Sequence, residues 1–331
     1  MNPDESIIPA IPIGDWVESA IDWLTDNVGW LFDAIKLIFT FLVENLTLAL
    51  TGIAPIALII ICALLAWAVR SWKFAIGTVI MFALVLSMGQ WVHMMETTAL
   101  VLVATVIAVV IAIPVGVLAA RNRVVSAIVR PILDFMQTMP AFVYLIPAVT
   151  MFSIGVVPGM VATIIFALPP GVRMTELGIR QVDGETVEAG EAFGATPWQI
   201  LRGIQLPLAV PTIMAGVNQV IMLALSMGVI AGMIGAPGLG KQVVQAISSL
   251  DLPLGVEAGL SVVFLAVFLD RLTAALGTPN QYGSSLIALA RKARGNRAKK
   301  SASAAAASSS ANAPSASSGS AVASASADSN A

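Results

Sequence analysis

Long stretches without a charged side chain are the feature that most restricts how this chain can fold. A helix needs about 20 predominantly apolar residues to cross a bilayer, and each stretch is close to that length or longer. The stretches therefore predict membrane-spanning helices. Five such windows occur in the first 240 residues: Asn45–Val69, Phe74–Val92, Thr97–Ala120, Phe135–Val172 and Gly203–Gly240.

The composition supports the same class of protein. Only 11% of the 331 residues are charged and 58% are hydrophobic, whereas a soluble domain carries about 25% charged residues. We predict an all-α polytopic membrane protein. The spans leave no room for a nucleotide-binding or solute-binding domain, and the P-loop pattern G-x-x-x-x-G-K-S/T does not occur. If the protein uses ATP, the ATPase is another chain.

Two of the windows are too long for one helix, which leads to a count of seven spans. Gly155–Pro158 divides the fourth window into the fourth and fifth spans. The sixth span is predicted near Leu208–Ile234, followed by an irregular segment at 235–242, and the seventh near Glu257–Leu276. Five or six spans remain possible if the first two windows pair differently.

The first 50 residues are acidic and only partly apolar. Apolar residues recur there at spacings of three and four, which is one face of a helix. Trp16, Trp23 and Trp30 lie among the acidic positions, and Trp prefers the membrane interface. Residues 1–50 are predicted to form an extracytoplasmic amphipathic helix at the interface, or a helix packed on the spans of the same chain. The acidic start predicts no cleaved signal peptide.

The basic residues predict how the chain is oriented. Arginine and lysine concentrate in cytoplasmic loops, and all four clusters fall on one side if the N-terminus is outside. The C-terminus is then cytoplasmic. After the last cluster, a Ser/Ala-rich tail is predicted to be disordered, and the basic run favours lipid contact over nucleic acid. The clusters are Arg70 with Lys73; Arg121, Arg123 and Arg130; Arg173, Arg180 and Arg202; and Arg291–Lys300.

One charged interval, Glu188–Pro207, has the pattern of folded structure. Gly194 can supply the positive φ that ends a helix. Thr196, Pro197 and Gln199 then form a capping-box pattern that starts a second helix. The platform at the break is mostly small, which allows another protein to approach the backbone closely. Its members are Ala189, Gly190, Gly194 and Ala195.

This interval resembles the EAA loop of bacterial ABC-importer permeases. That pattern is E-A-A, three residues, G, nine residues, I-x-L-P. Gly190 departs from it, where the family usually has Ala. The resemblance implies a cytoplasmic coupling loop, residues 184–207, that docks on an ATP-binding subunit. The matching residues are Glu188, Ala189, Gly194, Ile204, Leu206 and Pro207, with Thr196 and Pro197 completing the contact surface.

The resemblance extends beyond the loop. Residues 96–276 are similar to the permeases of glycine betaine/proline betaine importers, and departures occur at Gly228, Gly232 and Pro237. The resemblance implies a type I ABC importer transmembrane fold. Its parts are the amphipathic segment 1–50, two scaffold spans in 51–94, a five-span core in 95–276, and a cytoplasmic basic and disordered tail in 277–331.

The resemblance also implies the assembly. It predicts a homodimer in a bacterial plasma membrane, an ATP-binding cassette subunit at each loop, and an extracytoplasmic solute-binding protein. ATP and magnesium belong to the partner ATPase, so no cofactor is expected on this chain and the chain is not itself an enzyme. Nucleic acid is not among the expected partners.

Polar side chains at membrane depth are candidates for the translocation pathway, because such groups usually face the bundle interior. Interhelical hydrogen bonding is the alternative, and for each single residue it is favoured. The candidates are Gln137, Thr138, Tyr144, Asn218, Gln219 and Ser226, with Met136, Met139, Met222 and Met227 as neighbours.

Two other functions are alternatives to an importer permease. A secondary transporter or channel predicts intramembrane ionisable residues or paired internal repeats, and the sequence shows neither. A membrane-embedded enzyme needs a nucleophile with its base, or a metal set. The single histidine, His93, and the single cysteine, Cys62, do not supply one.

Overall fold

The computed structural model describes residues 12–277, and in that range every regular element is helical. The predicted tail lies outside the described residues, apart from Gly277. The α-helices are α1 Ile13–Gly52, α2 Pro55–Val69, α3 Trp72–Ser87, α4 Trp91–Arg121, α5 Arg123–Thr138, α6 Leu145–Phe152, α7 Val156–Arg180, α8 Gly184–Ala192, α9 Pro197–Ile200, α10 Leu206–Ile230, α11 Leu239–Ser249 and α12 Leu252–Gly277. Short 3₁₀ turns occupy Ala141–Tyr144 and Ala231–Ile234, and a π-helical turn occupies Leu201–Gln205.

Five helices in the described range are long and apolar enough to cross a membrane, and a bent pair brings the number to six. The prediction of seven spans is therefore too high. The two predicted N-terminal scaffold spans correspond to α2 and α3, which have only 15 and 16 residues, short of the roughly 20 needed. They pack on each other as a hairpin of short apolar helices. The five long segments are Gly14–Gly52, Trp91–Arg121, Val156–Arg180, Pro197–Ile234 and Leu252–Gly277.

The first apolar window is divided between two helices. Its first eight residues belong to α1, which is a single 40-residue element with a kink at Val28. The chain becomes extended at Ile53, and Pro55 then opens α2, a position where its missing N–H costs nothing. The second half of α1 packs on the bundle: Val43 is buried, and the Phe32 ring meets the Phe152 ring edge-on at 5.5 Å. The alternative of a helix packed on the spans therefore holds there, and the interfacial role stays a prediction.

The predicted fourth span is wrong as a straight helix. Helix α5 ends at Thr138, Met139 is extended, and the chain turns by 108° before continuing through the 3₁₀ turn into α6. Pro140 explains the break, because a proline has no N–H to donate and disfavours a helical residue before it. The predicted break near Gly155 is confirmed, since Gly155 has φ +140° and α7 starts at the next residue.

Helix α7 lies at the centre of the core, between α4 and α10. Small residues allow the close approach. A Cβ added to Gly171 would lie 2.8 Å from the Cβ of Ala112 on α4, and one added to Gly216 of α10 would lie 2.6 Å from the Cβ of Met174. Glycine at such crossings lets the helix backbones pack tightly, as in many membrane bundles.

The segment after α10 is only partly irregular. Gly235 and Gly238 have positive φ, as expected for an irregular stretch, but α11 begins at Leu239, inside the predicted irregular range of 235–242. Its first N–H donates to Thr97 Oγ1 of α4 at 2.8 Å. Helix α12 begins at Leu252, five residues earlier than predicted. Capping by a side chain from a distant helix left no local signal for α11.

The basic residues of several helices meet at one end of the bundle. Arg70, after α2, donates to the carbonyl of Arg271 on α12 at 3.3 Å, and Arg180 of α7 donates to the carbonyl of Ala119 on α4 at 2.8 Å. His93, at the other end of α4, contacts Gln242 of α11. The placement of all four predicted clusters on one side stays a prediction, and the last cluster, Arg291–Lys300, lies outside the described residues. We call this side the basic end; its assignment to the cytoplasm stays a prediction from the positive-inside rule.

Candidate functional site: a helix–turn–helix loop at the basic end

The first helix of the loop, α8, is capped at both ends. The Asp183 side chain accepts from the Glu185 N–H at its start. At its end, the Gly194 N–H donates to Glu191 O at 2.8 Å and the Ala195 N–H to Gly190 O at 3.1 Å. This is a Schellman motif, which requires a left-handed residue, and Gly194 has φ +78°. The predicted helix end at Gly194 is confirmed.

The second helix starts as the sequence predicts. Thr196 is its N-cap and Pro197 its first residue, and a complete capping box joins Thr196 to Gln199. The Gln199 side chain accepts from the Thr196 N–H at 2.8 Å, while the Thr196 hydroxyl accepts from the Gln199 N–H at 3.4 Å. Two glycine- and proline-dependent caps therefore set the angle between the helices.

The second helix runs directly into a span. Residues Pro197–Ile234 form one continuous helical segment. It contains a π-helical turn, in which the Leu206 N–H donates to Leu201 O, and ends in the 3₁₀ turn Ala231–Ile234. Pro207 explains the π-helical turn. It has no N–H for the carbonyl of Gly203, so a wider turn is the less costly geometry. No flexible linker therefore separates the loop from α10.

The outward surface of the loop is formed by α8, which has no buried residue. Glu188, Ala189 and Gly194 are exposed, and the Glu188 side chain makes no hydrogen bond or ion pair among residues 12–277. Gly190 and Ala195 are half-buried against the second helix. The small platform is thus split between an outward row and an inward row.

The apolar members of the pattern anchor the loop to the bundle. Ile200 and Leu201 are buried, and Leu201 packs in a cluster with Ile179, Ala209 and Ile213 from α7 and α10. Ile204 and Leu206 are half-buried where the loop joins α10, whereas Pro207 is exposed.

Two aromatic residues lie inside the predicted coupling loop but were not singled out as contacts from the sequence. Phe193 is 92% exposed and Trp198 is 60% exposed, on either side of Gly194. Exposed aromatic side chains commonly anchor protein interfaces. Phe193 precedes Gly194 and Trp198 follows it by four residues, so their position in the sequence was a usable signal. The prediction of the contact surface relied on the small residues instead.

The predicted pathway residues do not share one environment. The Asn218 side chain donates to Asp270 Oδ1 of α12 at 2.9 Å and accepts from the Thr273 hydroxyl, so it holds α10 against α12. Tyr144 is buried, donates to Met136 O across the bend, and meets the Phe166 ring at 6.0 Å. For these two residues, the structure shows internal hydrogen bonding.

The remaining candidates lie on exposed surfaces. Gln137 and Thr138 are exposed at the end of α5, beside the bend. On α10, one row of residues points away from the rest of the chain at spacings of three and four. We call it the α10 stripe: Pro211, Ala215, Gln219, Met222 and Ser226, of which Met222 is half-buried and the others are exposed. The exposed row of α12 contrasts with it, because it is aliphatic from Val256 through Leu260 and Val263 to Val267 and becomes charged only at Arg271.

Comparison with known proteins identifies the family. The family described as "Binding-protein-dependent transport system inner membrane component" matches residues 112–278. The chain belongs to this family. The match includes the loop and the α10 stripe and leaves α1 to α3 outside. The resemblance stated from the loop residues is therefore confirmed, and the protein is a multi-pass membrane permease of a transport system.

Two similar relatives are named as permease proteins of glycine betaine transport systems. The permease is 47% identical over 289 residues to the glycine betaine transport system permease protein OpuAB of Bacillus subtilis, covering 87% of this chain and 99% of the relative. It is 44% identical to the glycine betaine/proline betaine transport system permease protein ProW of Escherichia coli, covering 87% of this chain and 78% of that protein.

A solved structure supports the fold. A chain of the inward-facing MetNI methionine ABC transporter aligns with a TM-score of 0.52 at 24% identity, covering 56% of the permease and 92% of that chain. The predicted type I ABC importer transmembrane fold is confirmed.

Proposed function

We propose that this permease forms the translocation pathway of an ATP-driven importer for glycine betaine, proline betaine or a related quaternary-ammonium osmolyte. The observation that carries the proposal is the loop at Glu188–Pro207. It presents an outward surface without internal partners and is continuous with α10. The substrate class rests on the relatives, whose names specify glycine betaine.

The coupling step follows from the rigidity of the loop. An ATP-binding subunit docks on Glu188, Ala189 and Gly194, with Phe193 and Trp198 as aromatic anchors. When two such subunits close on ATP, the loops move with them and tilt α10, so that the pathway alternates between its outward and inward states. This is a two-state element biased by a ligand. ATP and magnesium are held by the partner, and this chain supplies only the mechanical connection.

The α10 stripe is the surface that best fits a pathway. Gln219 and Ser226 are exposed on a helix whose other faces pack on α7, α4 and α12. A row containing polar groups is costly against lipid, so we place it against a second copy of the chain. The homodimer then encloses a pathway between two α10 stripes. A separate solute-binding protein delivers the osmolyte on the side opposite the loop.

The experiment is uptake of radiolabelled glycine betaine by proteoliposomes. The permease is reconstituted with a candidate ATP-binding subunit and a binding protein, and uptake is measured with ATP, with a non-hydrolysable analogue, and without the ATP-binding subunit. We expect uptake only with ATP and the complete complex. Equal uptake without the ATP-binding subunit would favour the alternative of a secondary transporter or channel.

A further inference from the structure

A carboxylate that the transport proposal does not use is buried near the basic end. Glu176 of α7 is only 4% exposed and accepts two hydrogen bonds, from the Ser126 hydroxyl at 2.8 Å and from Arg130 Nη2 at 2.9 Å. It also forms an ion pair with Arg180, whose Nε lies 2.9 Å from Glu176 Oε1. Desolvating a charged group is costly unless its partners are well placed. Glu176 has such partners, and they come from two helices.

These contacts join three helices at one point. Ser126 and Arg130 belong to α5, and Arg180 is the last residue of α7. Arg180 also donates through Nη2 to the carbonyl of Ala119 on α4, at 2.8 Å. We call Glu176, Ser126, Arg130 and Arg180 the Glu176 joint.

Helix α5 has few buried contacts besides this joint. Its only buried residues are Ser126 and Leu133. Its large apolar side chains point away from the chain, at Val124, Ile128, Ile132 and Phe135. One apolar cluster, in which Leu133, Val129 and Met136 pack with residues of α4 and α7, also contributes to the position of α5. The polar contacts to α7 act beside it, nearer the start of the helix.

Helix α5 leads into the bend and the segment beyond it. After the 108° turn, Tyr144, Leu145 and Ala148 pack against Ala162 of α7 and Met227 of α10. The bend also carries the exposed Gln137 and Thr138. A shift of α5 thus changes the position of polar residues that lie beside the core.

Arg180 connects the joint to the loop. On one side it lines a cavity of about 260 Å³ with Glu176, Arg130 and Arg173. On the other side it lines a second cavity of about 250 Å³, beneath α8, with Val187, Glu191 and Ile200. A single side chain therefore forms a wall shared by the space under the loop and the space around the carboxylate.

We propose that Glu176 is a positioning residue that transmits displacement of the loop to α5 and the bend. This inference rests on the proposed function. Movement of α8 shifts Arg180, and the buried carboxylate passes the shift to Ser126 and Arg130. The loop thereby moves two elements of the pathway, α10 by continuity of the helix and α5 through the joint.

The test is Glu176→Gln in the reconstituted complex with its ATP-binding subunit and binding protein. Glutamine keeps the size of the side chain and an acceptor for Ser126 but removes the charge. We expect ATP hydrolysis within about twofold of wild type, and osmolyte uptake per ATP lowered by about 5- to 150-fold, the usual range of coupling between two sites. The ratio of uptake to hydrolysis reports transmission, which loss of folding would not change selectively.

The matched control is Asp134→Asn. Asp134 pairs with Arg173 across the same two helices, but this pair is exposed and such pairs contribute little. We expect its ratio to stay within about twofold of wild type. An equal loss in both variants, or an unchanged ratio in Glu176→Gln, overturns the proposal. Absence of ATP-dependent uptake in the wild type overturns the proposed function instead.

Glu176→Gln could also prevent assembly of the complex, as judged by size-exclusion chromatography. If Glu176→Gln prevents assembly, Ser126→Ala is measured in its place. It removes one neutral hydrogen-bond donor to Glu176 and leaves the charged residues of the joint unchanged. A drop of twofold or more in uptake per ATP supports the proposal, and an unchanged ratio overturns it.

Discussion

Gly190 of α8 lies directly above Ile204 of the second loop helix: a Cβ added to Gly190 would come within 2.8 Å of Ile204 Cδ1. This is the position where the family usually has alanine. The atom in the way is the end of a flexible side chain, so a small rotation of Ile204 would make room. The departure from the family pattern is therefore compatible with the same loop geometry.

Gly190→Ala tests this relationship. Alanine is more favourable than glycine inside a helix by about 0.5–1 kcal/mol, so we expect the thermal stability of the purified permease to be equal or higher. Uptake per ATP should be unchanged. Gly190→Leu is the control, because its larger side chain cannot be accommodated by one methyl rotation. A lower stability for Gly190→Ala than for Gly190→Leu would contradict the packing seen here.

Gly194→Ala should impair docking of the ATP-binding subunit. Gly194 has φ +78°, and a left-handed conformation costs a residue with a Cβ about 1–2 kcal/mol. The end of α8 should fray, and affinity for the ATP-binding subunit should fall, as measured by co-purification or surface plasmon resonance.

Gly184→Ala provides the matched comparison. It is the same substitution on the same helix, at a glycine with no positive φ and open space around its Cα. We expect wild-type binding. Equal losses at both positions would show that the conformation of Gly194 is not the cause.

Phe193→Ala should weaken the same interface without affecting the permease alone. The side chain is 92% exposed, so its removal leaves the fold intact. Aromatic anchors at the centre of an interface contribute about 2 kcal/mol or more, which corresponds to a loss of affinity of roughly 30-fold. Trp30→Ala, at an exposed tryptophan of α1 far from the loop in sequence, is the control and should bind normally. If Phe193→Ala binds the ATP-binding subunit as tightly as wild type, Phe193 is not part of the interface.

Substitutions at Asn218 and Gln219, which are adjacent on α10, should affect two different properties: the stability of the permease and its transport of the osmolyte. Asn218→Ala removes the hydrogen bonds to Asp270 and Thr273, and interhelical bonds of this kind average about 0.6 kcal/mol. We expect a lower unfolding temperature and an unchanged KM for the osmolyte. Gln219→Ala, on the α10 stripe, should raise KM and leave the unfolding temperature unchanged. If Asn218→Ala instead raised KM and Gln219→Ala lowered the unfolding temperature, Asn218 would have the transport role and Gln219 the structural one.

The caps of the loop were predictable because they depend on local chemistry. A left-handed glycine and a Thr–Pro–x–Gln pattern restrict the backbone within a few residues, so the break at Gly194 and the restart at Thr196 followed from the sequence. The exposed state of Phe193 did not, because exposure depends on which elements lie nearby.

The predicted number of seven spans was too high for a related reason. Apolar content identifies a segment that belongs in a membrane, but the straight length available to it depends on where it breaks. Met139–Pro140 and Ile53–Ala54 divide windows that appear continuous by composition, and α11 is capped by Thr97, more than 140 residues earlier in the chain.

By itself, the sequence determined the class of the protein and the helical ends of the loop, because hydropathy and backbone restriction act locally. Only the tertiary structure decided which polar residues are paired and which are free to face a partner. Asn218 and Gln219 are adjacent in sequence, yet α12 satisfies the first and leaves the second exposed. The same holds for Glu176, whose partners lie 50 and 46 residues earlier on a single helix, α5, and on its own helix, a grouping that only packing could produce.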